Sequence, residues 1–403
     1  MVETQFIASP LSATNGLTQK TPAAFCLSLA FSYLCNEPQS IGHQKNDNKS
    51  NSTSTIMKHP FKPTFLLAIL LAAGVCTAAA DDKIRRKTYQ NPVIPHSTPD
   101  PTIIKCEEDG FFYLYGTEDT HNMPIYRSRN LIDWIFVGTA FTEASRPKCV
   151  GPGTGESGNQ SAGMWAPDIN YINGQYVLYY GIGVWGQGNI KSGVAVATSD
   201  RPEGPFIDRG VILTPATQGV NNSIDQFFIE DNGRNYLIWG SFAGIYMIEL
   251  TDDGLRIKPG AQKVQIAGTF MEGSYVFKRD GYYYLFGSNG SCCEGANSTY
   301  QVIYGRSDKL EGPYVTKSGG RMLDNQAETL LTGDDFVAGP GHNAEFVVDD
   351  NGDTWIPYHG YLRDNDGLGR VVFIDKVQWR DGWPYIENNH PTRTSEAPYF
   401  KDL

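Results

Sequence analysis

Asp100, Asp168, Asp225, Glu272 and His342 each head a short segment in which a Gly turn and a run of aromatics follow within about 6 to 10 residues. Four are carboxyl groups and one is an imidazole, the side chains that most often move protons in hydrolysis. Such chemistry needs a deprotonated group to take a proton from water and a protonated one to pass a proton to a leaving oxygen. A third carboxyl close by would raise the acid's pKa by like-charge repulsion and hold it in place. Asp100, Asp225 and Glu272 are assigned to that set. A single strand-tip Asp is more often a turn cap than a catalyst; recurrence at equivalent places is what separates these three from that reading. Asp168 lies in Trp165-Ala166-Pro167-Asp168 and is expected to play a structural or supporting part.

The elements that must position them repeat. The segments read PDPTIIKCEEDGFFYLYGT from Pro99, APDINYINGQYVLYYG from Ala166, SIDQFFIEDNGRNYLIWGS from Ser223, MEGSYVFKRDGYYYLFGS from Met271 and GHNAEFVVDDNGDTWIPYHG from Gly341. Each is two apolar strands around Asp-Gly or Asn-Gly, followed by an outer pair such as GVAVATSDRPEGPFIDRG or VIYGRSDKLEGPYV. Five units of one sheet each predict an all-β, five-bladed β-propeller, with blades over about 97–150, 160–215, 220–265, 268–325 and 335–390. In that fold the innermost strands begin near one axis, so distant tips would share one acidic pocket. A β-sandwich accommodates short strands but does not explain five copies with matched tips.

The 403 residues, with 12% aromatics, 43 Gly and 23 Pro, suit many short strands. A net charge of -11 argues against nucleic-acid or anionic-membrane partners. Residues 1–80 stand outside the repeat. Met57-Lys58-His59, a basic stretch to Lys62, the run FLLAILLAAGV and Ala78-Ala79-Ala80 predict a signal peptide over 57–80, too short to span a bilayer as a stable helix. The expected location is secreted or periplasmic. A lipid anchor at Cys76 is disfavoured by the bulky Val75 before it. Residues 1–56 read as a start assigned too early or as a disordered extension, leaving 81–403 as one catalytic domain. Beyond the signal lie Cys106, Cys149, Cys292 and Cys293, too few for a disulfide scaffold. The adjacent pair has no metal-site spacing and reads as a rigid loop, with a vicinal disulfide left open.

The order Asp-Pro-Thr-Ile, Trp-Ala-Pro-Asp-Ile, Ser-Ile-Asp, Gly-Ser-Phe, Met-Glu-Gly, Ser-Cys-Cys-Glu-Gly with Ser-Thr-Tyr, and Gly-His-Asn resembles glycoside hydrolase family 43 over about 90–390. Within that family the likeness is greatest to arabinan endo-1,5-α-L-arabinanases. The resemblance implies inversion at the glycosidic carbon. Asp100 would be the general base, Glu272 the general acid, and Asp225 the modulator of the acid's pKa and orientation, with acid and base about 6.5–9.5 Å apart. It also implies an ion, commonly Ca²⁺, held near the axis by His342 with water filling most of its shell. Trp165 and Phe242 would stack on sugar rings, and Gly186, Asn222 and Ser241 would line the cleft.

The expected partner is a polysaccharide, arabinan or pectin side chains, and the expected state is a monomer. Pro99 and Gln226 stand where relatives often have His and Pro, and Phe242 lacks the Trp that often follows, which puts the subsite pattern in question but not the three acids. The same family includes exo-acting α-L-arabinofuranosidases and β-xylosidases, the nearest alternative. A catalytically dead sugar-binding propeller would lack one of the acids. A fructan hydrolase would carry Arg-Asp-Pro, which is absent.

Overall fold

In the computed structural model, residues 86–150, 163–184 and 191–401 are described. The signal peptide, the extension before it, Cys76 and Gly186 lie outside the described residues.

Five antiparallel sheets follow one another in chain order, and they form a five-bladed β-propeller. Blade 1 comprises Thr102–Lys105, Phe112–Tyr115, Pro124–Ser128 and Ile135–Thr139. Blade 2 comprises Gly163–Ile172, Gln175–Gly183, Gly193–Ser199 and Ile207–Leu213. Blade 3 comprises Phe227–Asp231, Arg234–Trp239, Ile245–Glu249 and Val264–Ala267. Blade 4 comprises Glu272–Arg279, Tyr282–Asn289, Gln301–Ser307 and Glu328–Leu331. In blade 5 the inner position is split between Val337–Gly341 and Val347–Val348, followed by Thr354–Leu362, Val371–Arg380 and Trp383–Tyr385.

Local chemistry explains the hairpins. Asn173-Gly174, Asn232-Gly233 and Asp280-Gly281 have positive φ at both residues, and the strands pair immediately on either side. That is the two-residue type I′ turn, whose twist matches the strands it joins. The first and last blades depart from this, with longer turns between Lys105 and Phe112 and between Val348 and Thr354.

The second strands are apolar without alternation because neighbouring blades cover both faces. Tyr113, Tyr115, Leu178 and Tyr180 pack with Phe141 and Phe206 between blades 1 and 2. Phe227, Tyr275 and Phe346 continue the packing inward across blades 3, 4 and 5, with successive ring centroids 5.0 and 5.3 Å apart. Each fully buried ring of this kind contributes about 1.5–3 kcal/mol. The ring of blades is closed by the segments that flank it: Thr88–Gln90 pairs with Thr394–Glu396, and Ile94 bridges Val372 of blade 5.

Two outer strands fall elsewhere than expected. After SDKLEGPY, Val315 forms only isolated bridges, and the fourth strand of blade 4 is Glu328–Leu331. In blade 3 the edge is Val264–Ala267, at and beyond the expected end of the blade near residue 265. Outer strands face water on one side and need less apolar patterning, so composition marks them poorly.

Candidate active site

Each inner strand is entered through a left-handed residue: Asp100 (φ 53°), Ala166 (41°), Asp225 (56°), Gly273 (57°) and His342 (44°). Four of the five are not glycine, and such a backbone costs of order 1–3 kcal/mol per residue unless the surroundings enforce it. The kink turns the chain inward, so the side chains of Asp100, Asp225 and His342 meet at the axis. Glu272 precedes its kink by one residue and joins them. Asp168 follows its kink by two and lies deeper, where its Oδ2 accepts from the backbone N–H of Phe228 (2.7 Å) and from Asn170 (2.9 Å). That stitches blade 2 to blade 3, in keeping with a supporting part.

Asp100 is buried among donors. Thr117 donates to Oδ2 at 2.6 Å, while Arg370 Nη1 lies 3.1 Å and His342 Nδ1 3.2 Å from Oδ1. Burial opposes its ionisation, but Arg370 and then His342 more than offset that and hold the carboxyl well below the usual carboxylate range. His342 is the reciprocal case: burial disfavours its charge, yet Asp100, then Asp225 and Glu272, raise it to about 9. His359 also sits 3.2 Å from Asp100 Oδ1. This contact is not an ion pair, because Nδ1 accepts from the Asp100 N–H (2.9 Å) and burial lowers the ring's pKa to about 4.

The second half of the site disfavours the ionised carboxyl. Burial raises the pKa of Glu272, helped by Asp100 and opposed by hydrogen bonds from Ser241 and Tyr300 and by the charge on His342. Asp225 is raised as well, by burial, Glu272 and Asp100 against the pull of His342. Both carboxyls therefore resist ionisation more than an exposed carboxyl would. Asp225 is further tied to the kink beside Glu272, its Oδ2 accepting from the Gly273 N–H at 3.2 Å.

The expected sugar contacts divide. Phe242 is 43% exposed, and its N–H donates to the carbonyl of Met271, the residue before Glu272, at 3.0 Å. Trp165 is half-buried, with its ring laid over Gly183; a Cβ there would come within 2.2 Å of it. Ser241 is 1% exposed and spends its hydroxyl on Glu272 Oε2 (2.6 Å), while Asn222 donates to Ser241 Oγ at 2.8 Å. Asn222 is half-buried and is linked through Ser241 to the acid. Thr117, Tyr300, His359 and Arg370 carry no assignment from the sequence. Hairpin register holds a signal for two of them. Thr102 pairs with Tyr115, so Thr117 falls opposite Asp100, and Gly341 pairs with His359.

Deeper along the inner strands is a cavity of about 20 Å³, room for about one water, lined from all five blades and reached by Asp225 and His342. Into its walls go the buried oxygens Asp168 Oδ1, Gln226 Oε1 and Asn343 Oδ1, none with a hydrogen-bond partner. Such a donor set fits a hard cation, which prefers oxygen ligands. Among the described residues no three His, Cys, Asp or Glu side chains converge to enclose an ion, so amide oxygens and water would complete the shell.

The profile of Glycosyl hydrolases family 43 matches residues 89–384. The chain belongs to that family. It is 32% identical to an extracellular endo-α-(1→5)-L-arabinanase of Bacillus subtilis, covering 79% of this chain and 96% of the relative. It is 28% identical to an extracellular exo-α-(1→5)-L-arabinofuranosidase of Cellvibrio japonicus, covering 72% and 86%. Among solved structures, the α-L-arabinanase of Cellvibrio cellulosa in complex with arabinohexaose superposes with a TM-score of 0.64 at 26% identity, covering 72% of this chain and 95% of that one. This family 43 member is a glycoside hydrolase, and the expected fold and reaction class hold.

Proposed function

We propose that this enzyme cleaves α-1,5-L-arabinofuranosidic bonds within arabinan by a single displacement with inversion. The observation that carries the mechanism is the gathering of Asp100, Asp225 and Glu272 at one axis, with Arg370, His342 and Thr117 against Asp100 and only neutral hydroxyls against the buried Glu272. In this reading Asp100 takes a proton from the attacking water as oxygen attacks the anomeric carbon. Glu272 gives its proton to the departing glycosidic oxygen, and Asp225 keeps that proton available. The relatives' activities support arabinan as the substrate. Endo action follows the endo-acting relative; exo action is the second reading, favoured by the exo-acting one. Product sizing on linear arabinan, branched arabinan and xylan decides between them. A spread of arabino-oligosaccharides from linear arabinan is expected; arabinose alone would establish the exo reading, and turnover of xylan only would overturn the substrate.

The reading extends to the enzyme's setting. The signal at 57–80 and the relatives named extracellular support secretion. No helix among the described residues is long and apolar enough to cross a membrane. We propose a monomer acting on polysaccharide. We also propose Ca²⁺ at the axial cavity, held by His342 Nε2, since Nδ1 faces Asp100, with oxygens of Gln226 and Asn343 within the same walls. Bound there, the ion would supply fixed positive charge beneath the three acids. His342 must shed its proton to ligate, so affinity should weaken as pH falls. Prolonged chelation is expected to lower activity and Ca²⁺ to restore it. Full activity in protein shown by elemental analysis to be metal-free would remove the ion from the site.

A further inference from the structure

Tyr300 is 1% exposed, and its hydroxyl donates to Glu272 Oε1 at 2.8 Å, while Ser241 holds the other oxygen. Its ring stacks on His359, with centroids 5.8 Å apart and planes inclined by 13°. His359 in turn receives the backbone N–H of Asp100. A continuous line of contacts therefore runs from one reacting carboxyl to the other, Glu272 to Tyr300 to His359 to Asp100. Room for the ring is made by Gly341, where a Cβ would lie 2.2 Å from it.

Tyr300 is delivered by a hairpin that rises where blade 4 meets the site. Glu272 pairs with Ser288 and Asn289 with Gln301, so residues 290–300 project directly beyond the acid. Within this hairpin Cys292 and Cys293 are joined as a vicinal disulfide. Ser291 O accepts from the N–H groups of both Thr299 and Tyr300 at 3.0 Å, which couples the residue beside the disulfide to Tyr300. The tip is tied to blade 5, where Asp366 accepts from the Ala296 N–H (3.0 Å) and Arg363 donates to Ala296 O (2.6 Å).

We propose that Tyr300 is the positioning residue of the acid, and that the hairpin carrying the vicinal disulfide is its mount. Inversion needs acid and base held apart at one working distance with the proton aimed at the leaving oxygen. The Tyr300–His359 stack is a rigid spacer for the distance, and the two hydroxyls on Glu272 set the carboxyl plane. This rests on Glu272 being the acid, as proposed above.

The test is Tyr300→Phe, which deletes one oxygen and leaves the stack. On arabinan kcat should fall about 10-fold or more with KM within about twofold. Across aryl glycosides of arabino-oligosaccharides, the loss should shrink as the leaving group becomes more acidic. In a Glu272→Ala background the same change should alter rates by no more than about twofold, because the group it positions is gone. Reduction of the Cys292–Cys293 bond in the folded wild-type enzyme should reproduce the selective loss without any variant. An even loss across the series in both backgrounds, or none on arabinan, would make Tyr300 a packing residue. An even loss, or none, on reduction would remove the hairpin as mount. Neither outcome bears on Glu272, whose own substitution reports separately.

Discussion

Asp100→Asn should lower kcat by about 10²–10⁴-fold on arabinan and on activated aryl glycosides alike. A base is needed to deprotonate the attacking water however good the leaving group is, so an easier departure cannot compensate. The size of the effect follows from how much of the site is spent on keeping this carboxyl ionised. Arg370, His342 and Thr117 converge on its two oxygens, and the backbone holds it at φ 53°. The amide keeps the shape and much of the hydrogen bonding but can accept no proton. Rates are to be measured on both substrate classes with melting temperature as a control for folding. A variant that keeps aryl-glycoside turnover within about tenfold of wild type would show that some other group is the base.

The part of this site legible in sequence was the part built from local repetition. Aromatic runs broken by Asn-Gly and Asp-Gly declare the hairpins, because a type I′ turn and a strand covered on both faces leave strong chemical marks. Asp100, Asp225 and Glu272 stand at the heads of such units. Yet the repeat is offset in detail: the kink equivalent to Asp100 is Ala166, so Asp168 belongs one layer down. The supporting residues were less visible for a physical reason. Arg370 reaches Asp100 across 270 positions, and that contact exists only because the ring closes. His359 and Tyr300 lie in apolar strands or beside them, where an aromatic reads as packing. Ser241 and Asn222 are small and polar near a strand end, and composition alone does not show that they bond to each other and, through Ser241, to the acid.

Glu272→Ala should separate the substrates that Asp100→Asn does not. Turnover of arabinan is expected to fall about 10²-fold or more, since a sugar alkoxide leaves poorly without a proton, while aryl glycosides with acidic leaving groups should lose much less. The pH dependence gives a second readout with a definite sign. Burial raises the pKa of Glu272, so the protonated, working form persists to higher pH than an ordinary carboxyl would allow and is lost as pH rises through that value. Wild-type activity on arabinan should therefore decline on the alkaline side through this ionisation. In Glu272→Ala acting on an activated aryl substrate that limb should vanish, because no proton is donated. The acid-side limb should remain, since Asp100 must still be ionised. Equal losses on both substrate classes, or an alkaline limb that survives unchanged in the variant, would assign proton donation to a different group. Asp225 would then be the first to examine, since its carboxyl is also buried and its pKa is also raised.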